Sequence, residues 1–498
     1  MKRIQLILCT LILLLSACTK DFEEINTNPN SPDRITNPGL LLTNIIRSAA
    51  NNNLNNSFDR GSIAADLLAE PYASNFTNWS RNDASSYFCW NYYNYIRDLN
   101  EIISVADAQG LNNYKGMALV LRSWMFQNLT DLYGPIPFRE AANAKETGIN
   151  KPKYEQQEVV YAGLLDDLEQ AATLLGTGKE TVVGDIMFAG DQERWKKFAT
   201  GMTLRLLMRQ SGRVDPTQRM TAILSNPGKY PLFQSHEEQA ALQYLGDRLE
   251  NEMPFYRDSN SDYGISSRIS ANLANYLSGM NDSRLFVFAI PASADGQYHG
   301  AVNGTGDWDN PAKYSAPGML WAPQQYNNEL ASSTAAQSIF CSYAEEQFTL
   351  AEAAEKGYIP GGSTEASTHY RNGISDQFSY YASRIPANYT FPKAADVVAG
   401  NDYFAQPAVA YTGTTDEKLN KIYLQKWISL FLNGFEAWSE WRRTGFPNIV
   451  PGPVSPGYIP ARCLYPADEQ RINETNYQQA VSWLGADDMQ SKVWWDNH

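Results

Sequence analysis

The sequence predicts a mostly α-helical protein with little β-structure. Apolar residues recur at steps of three and four, the period of one helix face, in five long segments. In residues 112–132 this face runs through Tyr114, Met117, Leu121 and Trp124. The other long segments are 154–175, 191–209, 338–356 and 421–441. Weaker helical patterns occur in 38–50, 62–74, 87–108, 265–279 and 368–382. The clearest strand candidate is Ser283–Pro291.

The faces of these segments predict how the helices pack. They alternate aromatic residues with small ones, above all Ala, and small residues let neighbouring helices approach closely. Helix pairs of this kind stack into superhelical arrays of the TPR type. A strict repeat of about 34 residues is not visible, so long insertions must separate the pairs. The predicted scaffold is therefore a superhelix of TPR-like helix pairs.

Four stretches without a lasting helical period predict long loops. Residues 291–334 place many Gly and Pro residues between aromatic ones, and residues 72–90 are rich in aromatic and amide side chains. The other stretches are 385–413 and 446–465. Long loops on a helical scaffold are more often functional than idle. We expect a single α-helical domain over residues 40–498, with a loop-rich lobe formed by insertions at about 283–335 and 385–413.

The N-terminal segment has the pattern of an export signal. A short positive start precedes a mostly apolar run, residues 4–15, which is shorter than the about 20 residues of a membrane-spanning helix. The run ends in the letters LSAC, which resemble the lipobox of bacterial lipoproteins. We expect residues 1–17 to be a lipoprotein signal peptide, Cys18 to be the lipid anchor, with palmitate among its acyl chains, and residues 18–39 to be the lipidated tether. The alternative is an ordinary signal peptide with an incidental cysteine.

Charge and missing motifs exclude several function classes. The chain has 40 Lys and Arg against 54 Asp and Glu, a net charge of -14, which disfavours nucleic acid as a partner. No pair of His or Cys residues has the spacing of a zinc site, and neither a nucleophile elbow nor a phosphate loop is present. Asp307, Asp309 and Asn310 lack the glycine and glutamate of an EF-hand, so calcium stays an open alternative. No cofactor other than the lipid on Cys18 is expected.

Five blocks of sequence carry a family resemblance. They are RSWMFQNLTDLYGPIPF (Arg122–Phe138), RWKKFATGMTLRLLMR (Arg194–Arg209), YAEEQFTLAEAAEKGY (Tyr343–Tyr358), QKWISLFLNGFEAWSEWRRTGFP (Gln425–Pro447) and IPARCLYPADEQRIN (Ile459–Asn473). Together with the lipobox and the start INTNPNSP, and in this order, they resemble the SusD/RagB family of outer-membrane nutrient-binding lipoproteins, in particular its SusD-like branch.

The resemblance implies a fold and a function. It implies four TPR-like helix pairs that support a looped ligand face, on a lipoprotein at the outer membrane of a Gram-negative bacterium. Asp21, Glu23 and Glu24 resemble the acidic signal that sends such lipoproteins to the cell surface. The implied partner is a SusC-like TonB-dependent transporter, over which the lipoprotein closes as a lid. Family ligands are mainly glycans, some members bind peptides, and members are not enzymes.

Two of the loops have the composition of a sugar-binding site. Sugars present flat C–H faces and rims of hydroxyls, which suit exposed aromatic planes edged by short polar groups. The candidate ligand-binding residues are Asn78, Trp79, Arg81, Asp83, Tyr87, Tyr298, Trp308, Asn310 and Trp321. Trp79 and Trp308 lead this set because their polar neighbours disfavour full burial. The alternative is that these aromatic residues pin the loops onto the scaffold.

The five blocks that carry the family resemblance are expected to form the hydrophobic core rather than to contact the ligand. Trp124, Trp195, Trp427 and Trp438 stand at helical spacing on apolar faces, so we expect them to be buried. We expect Arg442 and Arg443 to pair with acids such as Glu436 or Glu440, or to close a helix C-terminus.

Several functions stay open at this point. The leading interpretation is a cell-surface protein that captures an oligosaccharide and delivers it to a SusC-like transporter. The alternatives are the same role for oligopeptides, a surface glycoside hydrolase, or a TPR-type scaffold that grips a protein. A hydrolase needs a defined pair of carboxylates, and no motif selects one.

Overall fold

The computed structural model describes residues 37–70, 89–254, 267–305, 310–321 and 335–497 of the chain. The first elements are α1 (Gly39–Asn56), α2 (Ser62–Ala64), β1 (Leu68–Ala69), α3 (Tyr92–Gln109), α4 (Asn112–Tyr133), β2 (Ile136–Pro137), α5 (Ala144–Thr147), β3 (Tyr154–Glu155), α6 (Gln157–Leu174), α7 (Gln192–Arg209) and α8 (Thr217–Leu224). Next come β4 (Ala240–Gln243), β5 (Arg268–Ile269), α9 (Ala271–Gly279), α10 (Leu285–Phe288), β6 (Gln337–Cys341), α11 (Tyr343–Glu355) and α12 (Gly362–Arg384). The last are α13 (Asn401–Ala405), α14 (Thr415–Ser429), α15 (Gly434–Thr444), α16 (Ala467–Ile472) and α17 (Glu474–Leu484).

Helix pairs that are adjacent in the chain form the scaffold. The pairs α3–α4, α6–α7, α11–α12 and α14–α15 each pack together, and α4 packs on α6 while α11 packs on α14. This arrangement confirms the predicted mostly α-helical fold with TPR-like helix pairs. The described residues from Gly39 onward form one compact unit.

The described strands are short and form antiparallel pairs. They are β1 with β5, β2 with β3, and β4 with β6. In the first pair Leu68 lies opposite Ile269 and Ala69 lies opposite Arg268. This small ladder matters for function, because it fixes the backbone next to the candidate site described below.

Local sequence signals fix the ends of several helices. Helix α4 ends at Tyr133 because Gly134 adopts a positive φ of 81° that a side chain would oppose. Asp191 begins α7 by accepting the backbone N–H groups of Glu193 and Arg194. Thr414 begins α14 through a capping box with Glu417.

Most of the helical periods predict the right element. The segments 112–132 and 191–209 are confirmed as α4 and α7, and residues 38–50, 87–108, 265–279 and 368–382 overlap α1, α3, α9 and α12. The segment 154–175 is confirmed as α6 from Gln157 onward, although its first two residues form β3. The segment 338–356 is only partly right, because its first residues form β6 and α11 begins at Tyr343. The segment 421–441 is two helices, α14 and α15, broken at Leu432, whose φ is 62°. Residues 62–74 are not one helix, since α2 ends at Ala64 and β1 follows.

The strand prediction for Ser283–Pro291 is wrong. Residues Leu285–Phe288 form the short helix α10, because tertiary contacts override the β-propensity of the run. Arg284 is fully buried and lies 2.6 Å from the carboxylate of Asp282. Phe288 stacks on Phe431 with ring centroids 4.3 Å apart.

The core contains the tryptophans of the helical faces, as predicted. Trp124, Trp195, Trp427 and Trp438 are all buried, with exposed fractions between 0% and 2%. Two of their indole N–H groups donate to named acceptors, that of Trp195 to the Asp185 carboxylate at 2.8 Å and that of Trp427 to the Ala65 carbonyl at 2.8 Å. Burial with a partner removes the penalty of an orphaned polar group.

A buried ion network joins helices α4, α7, α11 and α15. Arg209 lies 2.7 Å from Asp131 and also contacts Glu436 and Glu440. Arg205 lies 2.5 Å from Glu345. The prediction for Arg443 is confirmed, because its guanidinium lies 2.8 Å from Glu440 and 2.6 Å from Glu352.

Arg442 forms no acid pair in the described residues but takes the other predicted role, since it bonds a carbonyl in the last turn of α4. Its guanidinium donates to the backbone carbonyls of Asp131 at 2.7 Å and Ala461 at 2.9 Å, and to the Ser439 hydroxyl at 2.8 Å. Because Arg442 stands four residues after Trp438, the two side chains share one side of α15, and the guanidinium lies 4.3 Å from the centre of the Trp438 ring.

Across the described ranges, no helix combines the length and the apolar character needed to cross a bilayer.

Candidate functional site

A polar cavity of about 220 Å³ lies beside β1 and the start of α9. Its lining includes Asp66, Asn272, Val302, Asn303, Asn448 and Val450. The cavity is close in sequence to two of the predicted ligand loops, because Asp66 comes shortly before the 72–90 loop and Asn303 belongs to the 291–334 loop. We treat it as the candidate ligand site.

The backbone around Asp66 is fixed from two directions. Asp66 has a φ of 54°, in the left-handed region, where the chain turns from α2 towards β1. The Ser270 hydroxyl donates to the Asp66 carbonyl at 2.5 Å and accepts the Leu273 N–H at 3.0 Å. Ser270 therefore caps α9 and holds the Asp66 turn at the same time.

Close backbone approach positions Asn303. The chain at Gly300 runs against the Ser270 carbonyl so closely that a Cβ at residue 300 would collide with it. Ala301 donates its N–H to the Ile269 carbonyl at 2.9 Å. This contact places the next two residues of the chain, Val302 and Asn303, at the cavity.

Asp66, Asn272 and Asn303 form the polar floor of the cavity. The Asn303 amide donates to one Asp66 carboxylate oxygen at 2.9 Å and to the Leu68 carbonyl at 2.9 Å. The Asn272 amide donates to the other Asp66 oxygen at 2.7 Å. The Oδ1 atom of Asn303 is buried and has no hydrogen-bond partner in the described part of the chain. An unmade bond of this kind costs free energy unless something supplies a donor.

Burial changes the acid strength of Asp66. Its side chain is almost out of water, with 7% of the residue exposed. Desolvation raises the pKa of Asp66 to about 7, although the hydrogen bonds from Asn303 and Asn272 act in the opposite direction. Near neutral pH the carboxyl therefore exists in both charge states.

The rest of the cavity combines an apolar rim with a neighbouring loop. Val302 and Val450 are exposed to 49% and 68%. The loop that carries Val450 is held to the Asn303 turn, because the Val454 N–H donates to the Gly304 carbonyl at 2.9 Å. Gly452 passes so close to the Asn303 carbonyl that a Cβ would not fit. Amide and carboxyl groups below an apolar rim suit a ligand with hydroxyls and C–H faces.

Comparison with known proteins identifies the family. The model of a SusD-like family, described as starch-binding and associating with the outer membrane, matches residues 29–466. The chain belongs to the SusD-like family. None of the curated proteins matches it.

Solved structures of SusD-like proteins share the fold over most of the chain. A chitin-binding protein is 25% identical with a TM-score of 0.77, and the alignment covers 93% of this chain and 100% of that one. A proposed outer-membrane protein of Bacteroides vulgatus, described in relation to nutrient binding, is 26% identical with a TM-score of 0.78 over 93% and 100% of the two chains. A SusD homologue of Bacteroides fragilis, 24% identical with a TM-score of 0.77 over 92% and 99% of the two chains, shows the fold alone.

The described residues of this SusD-like chain include only some of the predicted site residues. Asn78, Trp79, Arg81, Asp83, Tyr87, Trp308 and the predicted anchor Cys18 lie outside the described residues. Tyr298 is half-buried, and its ring lies 5.7 Å from that of Phe286. Asn310 is exposed and caps a 3₁₀ turn by accepting the Ala312 N–H at 3.0 Å.

Trp321 is the predicted site residue that the structure places in the core. It is 5% exposed, and its ring lies 5.3 Å from Phe431 and 6.3 Å from Tyr381. This placement favours the alternative interpretation for this tryptophan, that it pins its loop onto the scaffold.

Two residues of the SusD-like cavity were missed by sequence reasoning. Asp66 lies inside a segment whose period predicted a helix, and Asn272 lies one residue into α9. Nothing in the sequence distinguishes them from other polar residues. Asn303 belongs to the predicted loop lobe, where its amide fits the composition expected of a sugar site.

The metal and hydrolase alternatives both depend on clusters of acidic or metal-ligating side chains. No group of three or more His, Cys, Asp or Glu residues among them could hold a metal ion. Asp66 is the one acidic residue among the described residues that line the cavity. A glycoside hydrolase of the usual kind needs two carboxyl groups facing the bond that is cleaved.

Proposed function

We propose that this protein captures an oligosaccharide at the cell surface and passes it to a SusC-like TonB-dependent transporter. The observation that carries the proposal is the cavity floor of Asp66, Asn272 and Asn303 in a SusD-like fold. Trp79 and Trp308, the leading aromatic residues of the predicted loops 72–90 and 291–334, are close to this floor in sequence. The proposed contacts are the Asn303 oxygen as an acceptor for a sugar hydroxyl and Trp79 and Trp308 as planes for sugar C–H faces. We propose no turnover of the ligand.

The proposed ligand class follows from the chemistry of the cavity. Short amide and carboxyl side chains bind hydroxyls and acetamido groups, and the valine rim contacts C–H faces without requiring charge. The similarity to a chitin-binding protein supports including chito-oligosaccharides among the first ligands. Oligopeptides are the alternative ligand, because peptide groups also present donors and acceptors.

The binding proposal is tested by titration calorimetry on the lipid-free protein, residues 19–498. The panel contains chito-, malto- and xylo-oligosaccharides and neutral oligopeptides, and the same samples are assayed for new reducing ends. Saturable binding of an oligosaccharide without new reducing ends supports the proposal. Binding of peptides alone would favour the oligopeptide alternative, and release of reducing ends would favour a hydrolase.

The anchor and the partner need separate experiments. We propose lipidation at Cys18, which metabolic labelling with a fatty acid would show for the parent and not for a Cys18→Ala variant. Removal of the protein from intact cells by an added protease would support outward orientation. Co-purification of a β-barrel transporter with the full-length protein would support the proposed SusC-like partner, and its absence from a mild-detergent extract would contradict it.

A further inference from the structure

A second cavity, of about 240 Å³, is lined by residues of α15, of the 446–465 loop and of the C-terminal segment. Its lining includes Trp441, Arg442, Tyr458, Gln490, Lys492 and Asp496. It shares no lining residue with the Asp66 cavity, so it is a separate place on the molecule. Its volume is below the range of about 300–1,000 Å³ for drug-sized ligands, which suits one small ring.

Arg442 is the unusual member of this lining. It is 98% removed from solvent, with an exposed fraction of 2%, yet no carboxylate lies within 4 Å of it in the described residues. Its Nε atom is buried and has no hydrogen-bond partner there. Burial lowers the pKa of Arg442 to about 10, with Asp131 and Asp496 opposing the shift only from a distance.

Other buried arginines in the described residues have the carboxylate partner that Arg442 lacks. Those exposed to 2% or less each have a carboxylate: Arg205 with Glu345 at 2.5 Å, Arg209 with Asp131 at 2.7 Å, Arg284 with Asp282 at 2.6 Å and Arg462 with Asp487 at 2.7 Å. Breaking a buried pair is costly because it leaves a charge without compensation. Arg442 has instead two tryptophan rings, Trp438 at 4.3 Å and Trp495 at 4.8 Å, and three neutral acceptors.

The remaining groups of the cavity fit an anionic sugar better than a neutral one. Lys492 is exposed and adds a second positive charge, so the two cations outnumber Asp496, in a chain whose net charge is -14. Trp441 and Tyr458 are half-buried aromatic residues that can contact the faces of a sugar ring. Gln490 is exposed and supplies an amide for ring hydroxyls.

We propose that this cavity binds the carboxylate-bearing ring of a sugar acid, with Lys492 contacting the carboxylate, the buried charge of Arg442 attracting it from the cavity wall, and Trp441 and Tyr458 contacting the ring. The site gives the protein a second contact for acidic glycans. It does not depend on the proposed function of the Asp66 cavity, because its residues are different.

The test is a titration of the lipid-free protein with galacturonate, with galactose as the neutral control of the same ring. We expect saturable binding of galacturonate, weaker binding of galactose, and loss of affinity as salt increases. Lys492→Gln is expected to weaken galacturonate binding about threefold and Tyr458→Ala about tenfold. Lys492 is exposed and Tyr458 is only half-buried, so both variants should fold. The matched control is Lys179→Gln, an exposed lysine elsewhere, which should leave the affinity unchanged.

Four results would overturn the proposal. The first is that galacturonate shows no saturable binding up to about 10 mM. The second and third are that galactose, or N-acetylalanine, which has a carboxylate but no sugar ring, binds as tightly as galacturonate. The fourth is that the affinity for galacturonate is unchanged in both variants. The two lining variants also separate the two cavities, since neither Lys492 nor Tyr458 lines the Asp66 cavity.

Discussion

Asn303 donates its side-chain amide to the carboxylate of Asp66 over 2.9 Å, and the two residues are 237 positions apart in the chain. The bond joins the turn after α2 to the loop-rich half of the molecule, and both residues line the candidate ligand cavity. The candidate ligand cavity therefore depends on a contact between segments that are distant in sequence and that only the folded chain brings together.

The first prediction concerns the pH dependence of stability at Asp66. The folded pKa is about 7 because of burial, and the unfolded pKa is about 4. Between these two pH values the folded state still holds a proton that the unfolded state has lost. The contribution of Asp66 to the free energy of unfolding therefore decreases as pH rises from about 4 to 7, by at most about 1.4 kcal/mol per pH unit.

Asp66→Asn should remove this contribution. The free energy of unfolding of the variant, relative to that of the parent, should increase as pH rises from 4.5 to 7 and then level off. Urea denaturation at several pH values measures the difference. A difference that is independent of pH would contradict the assigned burial of the Asp66 carboxyl.

The second prediction concerns the buried ion network. Arg209→Ala leaves Asp131, Glu436 and Glu440 buried without their common cation. We expect a loss of about 3–5 kcal/mol in the free energy of unfolding. The control is Arg471→Ala at the exposed Arg471–Asp468 pair, which is expected to cost at most about 1 kcal/mol. Equal losses in the two variants by urea denaturation would contradict the structural role of the network.

The third prediction concerns acid stability at Glu352. Burial opposes ionisation here, but Arg443 and Lys356 outweigh it and lower the pKa of Glu352 to about 2. The folded pKa is below the unfolded value, so the contribution is fully present above about 4.5 and is lost as pH falls towards 2. Glu352→Gln should therefore show a weaker loss of stability between these pH values than the parent. An identical acid transition in both proteins would contradict the assignment.

The fourth prediction separates two kinds of tryptophan. Trp79→Ala and Trp308→Ala should weaken oligosaccharide binding with little change in stability, because we propose that these rings contact the ligand. Trp321→Ala should instead cost about 3–5 kcal/mol of stability, since its ring packs on Phe431 and Tyr381 in the core. Calorimetric titration and thermal denaturation of the three variants check both effects. Unchanged affinity in Trp79→Ala and Trp308→Ala would remove these residues from the proposed site.

The scaffold could be predicted from the sequence because local periodicity determines it. Faces such as Tyr114, Met117, Leu121 and Trp124 repeat every three or four residues over several turns, and this signal survives in the structure as α4. Short elements carry no such signal. The run at Ser283–Pro291 has strand-forming residues, but the buried Arg284–Asp282 pair and the Phe288 stack decide for a helix.

The candidate site could be predicted only in outline. Loop composition indicated the 291–334 lobe and, within it, an amide such as Asn303. Asp66 and Asn272 could not be found, because their roles depend on a left-handed turn and on the Ser270 cap, which bring distant segments together. Trp321 was predicted to bind the ligand but is buried in the core. Its neighbours in sequence, which include glycines and prolines, do not reveal the distant residues that bury it.

The central claim is that oligosaccharide binds at the Asp66–Asn303 cavity, and one pair of variants tests it most directly. Val450 is 68% exposed at the cavity rim, and Val398 is 60% exposed elsewhere, so a lysine at either position should not disturb the fold. Calorimetric titration with an oligosaccharide that binds the parent should give an affinity about tenfold lower or weaker still for Val450→Lys and the parent affinity for Val398→Lys. Parent affinity in Val450→Lys would contradict the claim.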